Sequence, residues 1–170
     1  MAERGTHRVA GLVTAALILF ADQLTKWYVI GPLALEARGK IVITAFFDLT
    51  WVENYGVSMG FLTAESPVGR WMLVALTAAI TTGVAAWMWR ERSRIDTMAL
   101  GLVLGGAIGN IIDRTRFGHV VDFLDLHIGD WHPFLVFNVA DAAITIGVVL
   151  LVLRAFFTRE KKDPAENANA

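Results

Sequence analysis

Residues 138–157 read Asn-Val-Ala-Asp-Ala-Ala-Ile-Thr-Ile-Gly-Val-Val-Leu-Leu-Val-Leu-Arg-Ala-Phe-Phe. After Asp141 the run is apolar to Leu153 except for Thr145 and Gly147. Twenty residues at a helical rise of about 1.5 Å reach across the hydrocarbon core of a bilayer. A membrane-spanning helix is therefore expected, and it opens on an asparagine and an aspartate. Three more stretches have the same character: Val9–Ile30, Gly69–Trp89 and Ile95–Ile112. The expected fold class is an α-helical integral membrane protein of four transmembrane helices.

Composition agrees. The 170 residues are 55% hydrophobic with a mean hydropathy of +0.53, too apolar for an ordinary soluble domain. The chain has no cysteine, which excludes disulfides, thiolate metal sites and a cysteine nucleophile. The net charge of −1 says little, but the basic residues are grouped. Arg4 and Arg8 precede the first span, Arg90, Arg92 and Arg94 fill the second connection, and Arg159, Lys161 and Lys162 follow the last span. The positive-inside rule then puts both termini in the cytoplasm, with segments 31–68 and 113–137 outside. Arg4 and Arg8 before an apolar core also resemble a secretory signal, but three further spans favour an uncleaved first helix. One domain is expected over 1–162, with a disordered cytoplasmic tail over 163–170.

The outer segments carry strand signals. Ile41-Val42-Ile43-Thr44 is β-branched, and Phe47 to Asn54 alternates, with Phe47, Leu49, Trp51 and Glu53 on one face. Trp131 to Phe137 is a third candidate, demoted to an edge by Pro133. A small extracytoplasmic β-sheet on the outer membrane surface follows. Trp27, Tyr28, Trp51, Trp71 and Trp131 suit an outer aromatic belt, and Trp87 and Trp89 an inner one. Gly101, Gly105 and Gly109, four apart, predict close approach of another helix.

Carboxylates inside apolar runs point to function, because an ionisable group at membrane depth costs several kcal/mol, about 3 or more for an aspartate at a helix centre. Asp22, Asp113, Asp122 and Asp141 are such groups. With the termini inside, Asp22 and Lys26, Asn110 and Asp113, Asn138 and Asp141, and the segments carrying Asn54 and Asp122 all come to the outer face. Each has a structural reading as well. Asn138 with Asp141 is equally a helix cap. Asp22 and Lys26 are spaced to pair on one helix. Asp113, at a helix C-terminus, needs a cation, and Arg114 or Arg116 is the expected one. Asp125 and Asp130 read as solvated loop residues. Asp122, flanked by Val120, Val121, Phe123 and Leu124, has no evident cap or partner.

Other chemistries lack a pattern. His119, His127 and His132 show no metal-ligand spacing, and no metal or organic cofactor is expected. Ser58, Ser66 and Ser93 lie in no nucleophile-elbow context, though a Ser58–Lys26 dyad stays open. Phosphate loops and nucleic-acid patches are absent, so no nucleic-acid partner is expected. Carboxylate chemistry remains, in which two aspartates share one proton to activate a water and protonate the leaving group.

Four stretches together resemble a known family: Asp22-Gln23-Leu24-Thr25-Lys26, Asn54-Tyr55-Gly56, Gly105 to Phe123 (GGAIGNIIDRTRFGHVVDF), and Phe137 to Ile144 (FNVADAAI). The chain resembles the lipoprotein signal peptidases, or type II signal peptidases, aspartyl proteases of the bacterial inner membrane. The resemblance implies Asp122 and Asp141 as the catalytic pair. It also implies that Asp22, Lys26, Asn54, Gly56, Asn110, Asp113, Arg114 and Asn138 line or support the site. Val57-Ser58-Met59 departs from the family, which has small residues followed by an aromatic there. The implied reaction removes the signal peptide from a diacylglyceryl-modified prolipoprotein, just before its lipid-bearing cysteine. A monomer working at the periplasmic face in contact with membrane lipid is expected. The rivals are a small proton-coupled transporter, which places carboxylates near the midplane and often shows repeats, and a non-catalytic scaffold, which leaves Asp122 without a role.

Overall fold

A computed structural model describes residues 2–56 and 66–159, with side chains over 7–56 and 66–157. Val57, Ser58, Met59, Lys161, Lys162, the tail 163–170 and the side chains of Arg4 and Arg159 lie outside the described residues. In chain order the elements are α1 (Ala2–Ile30), α2 (Leu35–Arg38), β1 (Lys40–Thr44), β2 (Phe47–Asn54), α3 (Pro67–Arg90), α4 (Arg94–Arg116), β3 (Val120–Leu126) and α5 (Val139–Arg159). Four of the helices contain stretches long and apolar enough to cross a bilayer: His7–Ile30, Pro67–Arg90, Arg94–Arg116 and Val139–Phe157.

Helix boundaries follow local chemistry. Ser66 caps α3 by accepting from the Gly69 N–H at 3.0 Å, and Pro67 follows at the first helical position, where its missing N–H costs nothing. Ser93 caps α4 in the same way, accepting from Asp96 N–H at 3.3 Å. Arg154 of α5 reaches Asp96 at 2.5 Å and Ser93 Oγ at 3.1 Å, tying α5 to the start of α4.

Helix α4 is the hub, packing against α1, α5 and α3. Small residues make that possible. A Cβ at Gly101 or Gly105 would run into the Gly11 or Ala15 carbonyl of α1, and one at Gly106 into the Ala140 carbonyl of α5. Backbones approach this closely only where side chains are absent, which gives packing attraction without help from water. Ala15, Met88, Leu100 and Leu104 form the apolar core between the helices.

The sheet sits at the end of the bundle where α1 ends and α5 begins. Its order is β1-β2-β3, antiparallel throughout. Val121 and Phe123 of β3 pack with Val29 of α1 and Leu35 of α2, and Val139 joins them from α5. Two expectations change here. The third strand is Val120–Leu126, which carries Asp122, and not the expected Trp131–Phe137. The stretch Trp131–Phe137 contributes single bridges only, Leu124 with Phe137 and Ile128 with Trp131. Pro133 has no N–H with which to build a longer ladder. The strict alternation of β2 is also broken, because its register against β3 shifts by one between Leu49 and Val52. That shift sets Val52 opposite Asp122 and Asn54 opposite Val120.

Candidate active site

Asp141 occupies the third position of α5, with Asn138 just before the helix. The Asp141 N–H donates to Asn138 Oδ1 at 2.9 Å, and Asp141 Oδ2 accepts from the Asn138 N–H at 3.3 Å. This reciprocal pair is a capping box. The cap reading is realised, and the remaining Asn138 donor points at Asp122. Asn138 Nδ2 donates to Asp122 Oδ1 at 2.6 Å, and Asn54 Nδ2 donates to Asp122 Oδ2 at 2.9 Å. Asn54 reaches Asp122 diagonally across the β2–β3 pair, an arrangement that the register shift creates.

Each amide is held in one orientation by what its oxygen accepts. Asn54 Oδ1 accepts from the Gly56 N–H at 2.9 Å, in a turn where Gly56 has φ +97°. A side chain at Gly56 would be strained there, and its Cβ would also strike Leu73. Asn110 Oδ1 accepts from Lys26 and from Asn138, both at 3.3 Å, which turns Asn110 Nδ2 onto Asp141 Oδ1 at 2.8 Å. Both aspartates are thus contacted by neutral N–H donors.

Below the pair lies a second, ionic layer. Lys26 Nζ is 2.9 Å from Asp22 Oδ2 and 2.6 Å from Asp113 Oδ2, with all three side chains buried. The cation beside Asp113 is therefore Lys26 rather than the expected Arg114 or Arg116. Asp113 faces α1, Arg114 one residue on does not share that face, and Arg116 lies over the Phe117 ring. Arg114 donates weakly to the Asn110 carbonyl at 3.5 Å, and its buried Nε has no hydrogen-bond partner among the described residues. Gln23 was missed by sequence reasoning, although it lies within the Asp22–Lys26 motif. It donates to Asp113 Oδ1 at 3.0 Å and to Asp22 Oδ2 at 3.2 Å. Gly109, the third glycine of the stripe, leaves the space that the Asp22 carboxylate fills.

Burial pushes the Asp122 carboxyl up to about 7, and the charge of Asp141 adds to this. Asn54, Asn138 and Lys26 pull the other way. Asp125 is not solvated as expected. It is buried on β3, where Thr50 donates to it at 2.9 Å and His132 lies at 2.8 Å. Burial raises its carboxyl, but these partners outweigh that and hold it below the usual range. Asp130 is exposed. Ser58 lies outside the described residues, and Lys26 is committed to Asp22, Asp113 and Asn110. An open, largely apolar cleft of 280 Å³ lined by Leu126, Phe134, Phe137 and Ile146 reaches Asp141.

The arrangement brings two carboxylates from different elements into one electrostatic unit. Comparison with known proteins agrees on the class. The profile of the family described as Signal peptidase (SPase) II matches residues 14–157. The lipoprotein signal peptidase of Rhizorhabdus wittichii is 66% identical over 167 residues, 98% of this chain and 97% of that protein. That of Sphingopyxis alaskensis is 54% identical over 156 residues, 92% of this chain and 90% of that protein. A solved structure described as a bacterial membrane enzyme, obtained by the in meso method, superimposes with a TM-score of 0.75 at 28% identity. It covers 92% of this chain and 93% of that one. An enzyme fold with peptidase relatives favours the hydrolase over the transporter. The chain belongs to the signal peptidase II family, the lipoprotein signal peptidases.

Proposed function

We propose that the protein is an aspartic endopeptidase that removes signal peptides from diacylglyceryl-modified prolipoproteins, cutting before the lipidated cysteine, with Asp122 and Asp141 as the reacting pair. One observation carries this reading: Asp122, with a carboxyl raised to about 7 beside Asp141, keeps a proton near neutrality. Asp141, in the first turn of α5, is favoured as the anion by the helix dipole. As base, Asp141 takes a proton from a water whose oxygen attacks the scissile carbonyl carbon. Asp122 gives its proton to the carbonyl oxygen, leaving a tetrahedral diol. Collapse breaks the C–N bond, the departing amine takes the proton held by Asp141, and Asp122 recovers its own from the diol hydroxyl.

The apolar cleft at Asp141 suits a substrate delivered sideways from lipid. Asp22, Lys26, Asn54, Gly56, Asn110, Asp113, Arg114 and Asn138 support the pair. The basic residues of the α3–α4 connection support a site on the periplasmic side of the inner membrane.

The test is cleavage of a synthetic lipidated prolipoprotein by the purified protein in detergent. Asp122→Asn and Asp141→Asn should each lower turnover by about 10³-fold or more while folding is kept, and the double variant should be no worse. Substantial turnover by either single variant overturns the pair and returns attention to Ser58 and Lys26.

A further inference from the structure

The ionic layer is joined to the reacting pair in a specific way. Asp22 Oδ1 accepts the backbone N–H of Ala140 at 3.0 Å, and Ala140 is the residue before Asp141. Asp113 Oδ2 accepts the backbone N–H of Val121 at 3.2 Å, and Val121 is the residue before Asp122. Lys26 holds those two carboxylates together, with Gln23 as a neutral second bridge. Through Asn110 it also fixes the amide that meets Asp141. Among the described residues Lys26 makes no hydrogen bond or ion pair with Asp122 or Asp141, so beyond its charge it reaches them through others.

We propose that Lys26, seconded by Gln23, is a positioning residue that sets the separation of Asp122 and Asp141 by clamping Asp22 and Asp113, each of which anchors the backbone one residue before a reacting carboxylate. This rests on the roles proposed for Asp122 and Asp141. A two-carboxylate mechanism needs such control, because sharing one proton depends on their distance, and a misplacement near 1 Å can cost about 10²-fold. An ammonium is a compact centre on which three acceptors can converge; a guanidinium spreads its donors along a rigid fork. The alternative is that Lys26 only neutralises buried charge.

Two charge-preserving variants of the full chain separate these roles. Lys26→Arg keeps the charge and changes the geometry, and Gln23→Leu removes the neutral bridge alone. Each is assayed on the lipidated prolipoprotein in detergent, beside thermal unfolding and a pH–rate profile. Positioning predicts folded proteins with kcat lowered about 10- to 100-fold for Lys26→Arg and about 10-fold for Gln23→Leu, with KM nearly unchanged. The limb of the profile set by Asp122 should move to lower pH, since a wider separation weakens the influence of Asp141. The charged groups acting on Asp122 are Asp141 on α5, Lys26 on α1 and Arg114 on α4, with Asn54 and Asn138 as neutral donors, and neither variant alters their charge. An unmoved limb with kcat within about threefold of the parent, in either folded variant, overturns the proposal. Should Lys26→Arg fail to fold, Gln23→Leu decides by the same criteria. Asp122→Asn in the same assay keeps the two readings apart. An active Asp122→Asn removes the reacting pair itself, whereas an inactive one beside unimpaired Gln23→Leu and Lys26→Arg removes only the clamp.

Discussion

Among the described residues amides, not cations, donate to Asp122 and Asp141, and this leaves burial to dominate the protonation of Asp122. An ammonium or guanidinium against Asp122 would hold it ionised. Asn54 and Asn138 instead supply neutral donors, and burial with Asp141 nearby leaves the carboxyl near 7. Lys26 is kept one layer away, where it neutralises Asp22 and Asp113. The shift has a sign that can be checked. A carboxyl raised from 3.8 to about 7 on folding contributes stability that is fully present below pH about 4. That contribution is lost as pH rises through about 7, above which the protein must carry Asp122 as a buried anion. Asp122→Asn removes the titration. Its melting temperature relative to the parent should therefore be higher at pH 8 than at pH 5. A difference that does not change with pH would mean that Asp122 titrates near its ordinary value.

The elements differ in how legible they were, for physical reasons. Spans and strands with a single environment, such as α5 and β2, show it in composition, and their expected bounds fall within three residues of the observed ones. Strand β3 was hidden because Val120, Val121, Asp122 and Phe123 are all buried, so no polar–apolar alternation survives. The partner of Asp113 was misread because helix neighbours in sequence were considered before a cation on another helix. The convergence of the motifs was visible from topology, but the backbone tethers at Val121 and Ala140 were not, since main-chain donors leave no mark in sequence. The glycine stripe read as packing divides its work: Gly101 and Gly105 admit α1, and Gly109 houses a carboxylate. Gly105→Val would press a branched side chain into the Ala15 carbonyl and should cost about 1–3 kcal/mol or more, seen as a lower melting temperature in detergent. Gly83→Ala, in a helix face with open space, should cost nothing measurable. Equal effects at the two positions would argue against the α1–α4 contact.

At the scale of the whole molecule, the two ends of the bundle carry different chemistry. Arg8 donates to the Trp89 carbonyl at 3.0 Å and lies over its ring, and His7 meets the Arg92 carbonyl at 2.9 Å. The start of α1 and the α3–α4 connection therefore share one end, which holds Arg8, Arg90, Arg92 and Arg94. The sheet, Asp122 and Asp141 form the other. The cytoplasmic side retains arginines in short connections, so the bundle should sit with the arginine end inside and the proposed reacting pair outside. Exposed Trp27, Trp71 and Trp131 would then lie at the outer interface, and Trp87 and Trp89 at the inner one. This orientation suits a substrate that has been lipidated and carried across before it is cut. Reporter fusions give the check. A fusion after Arg94 should report cytoplasm, and one after Phe46, in the β1–β2 turn, should report periplasm. The opposite pattern would place Asp122 and Asp141 on the cytoplasmic side, where an exported substrate could not be met after crossing.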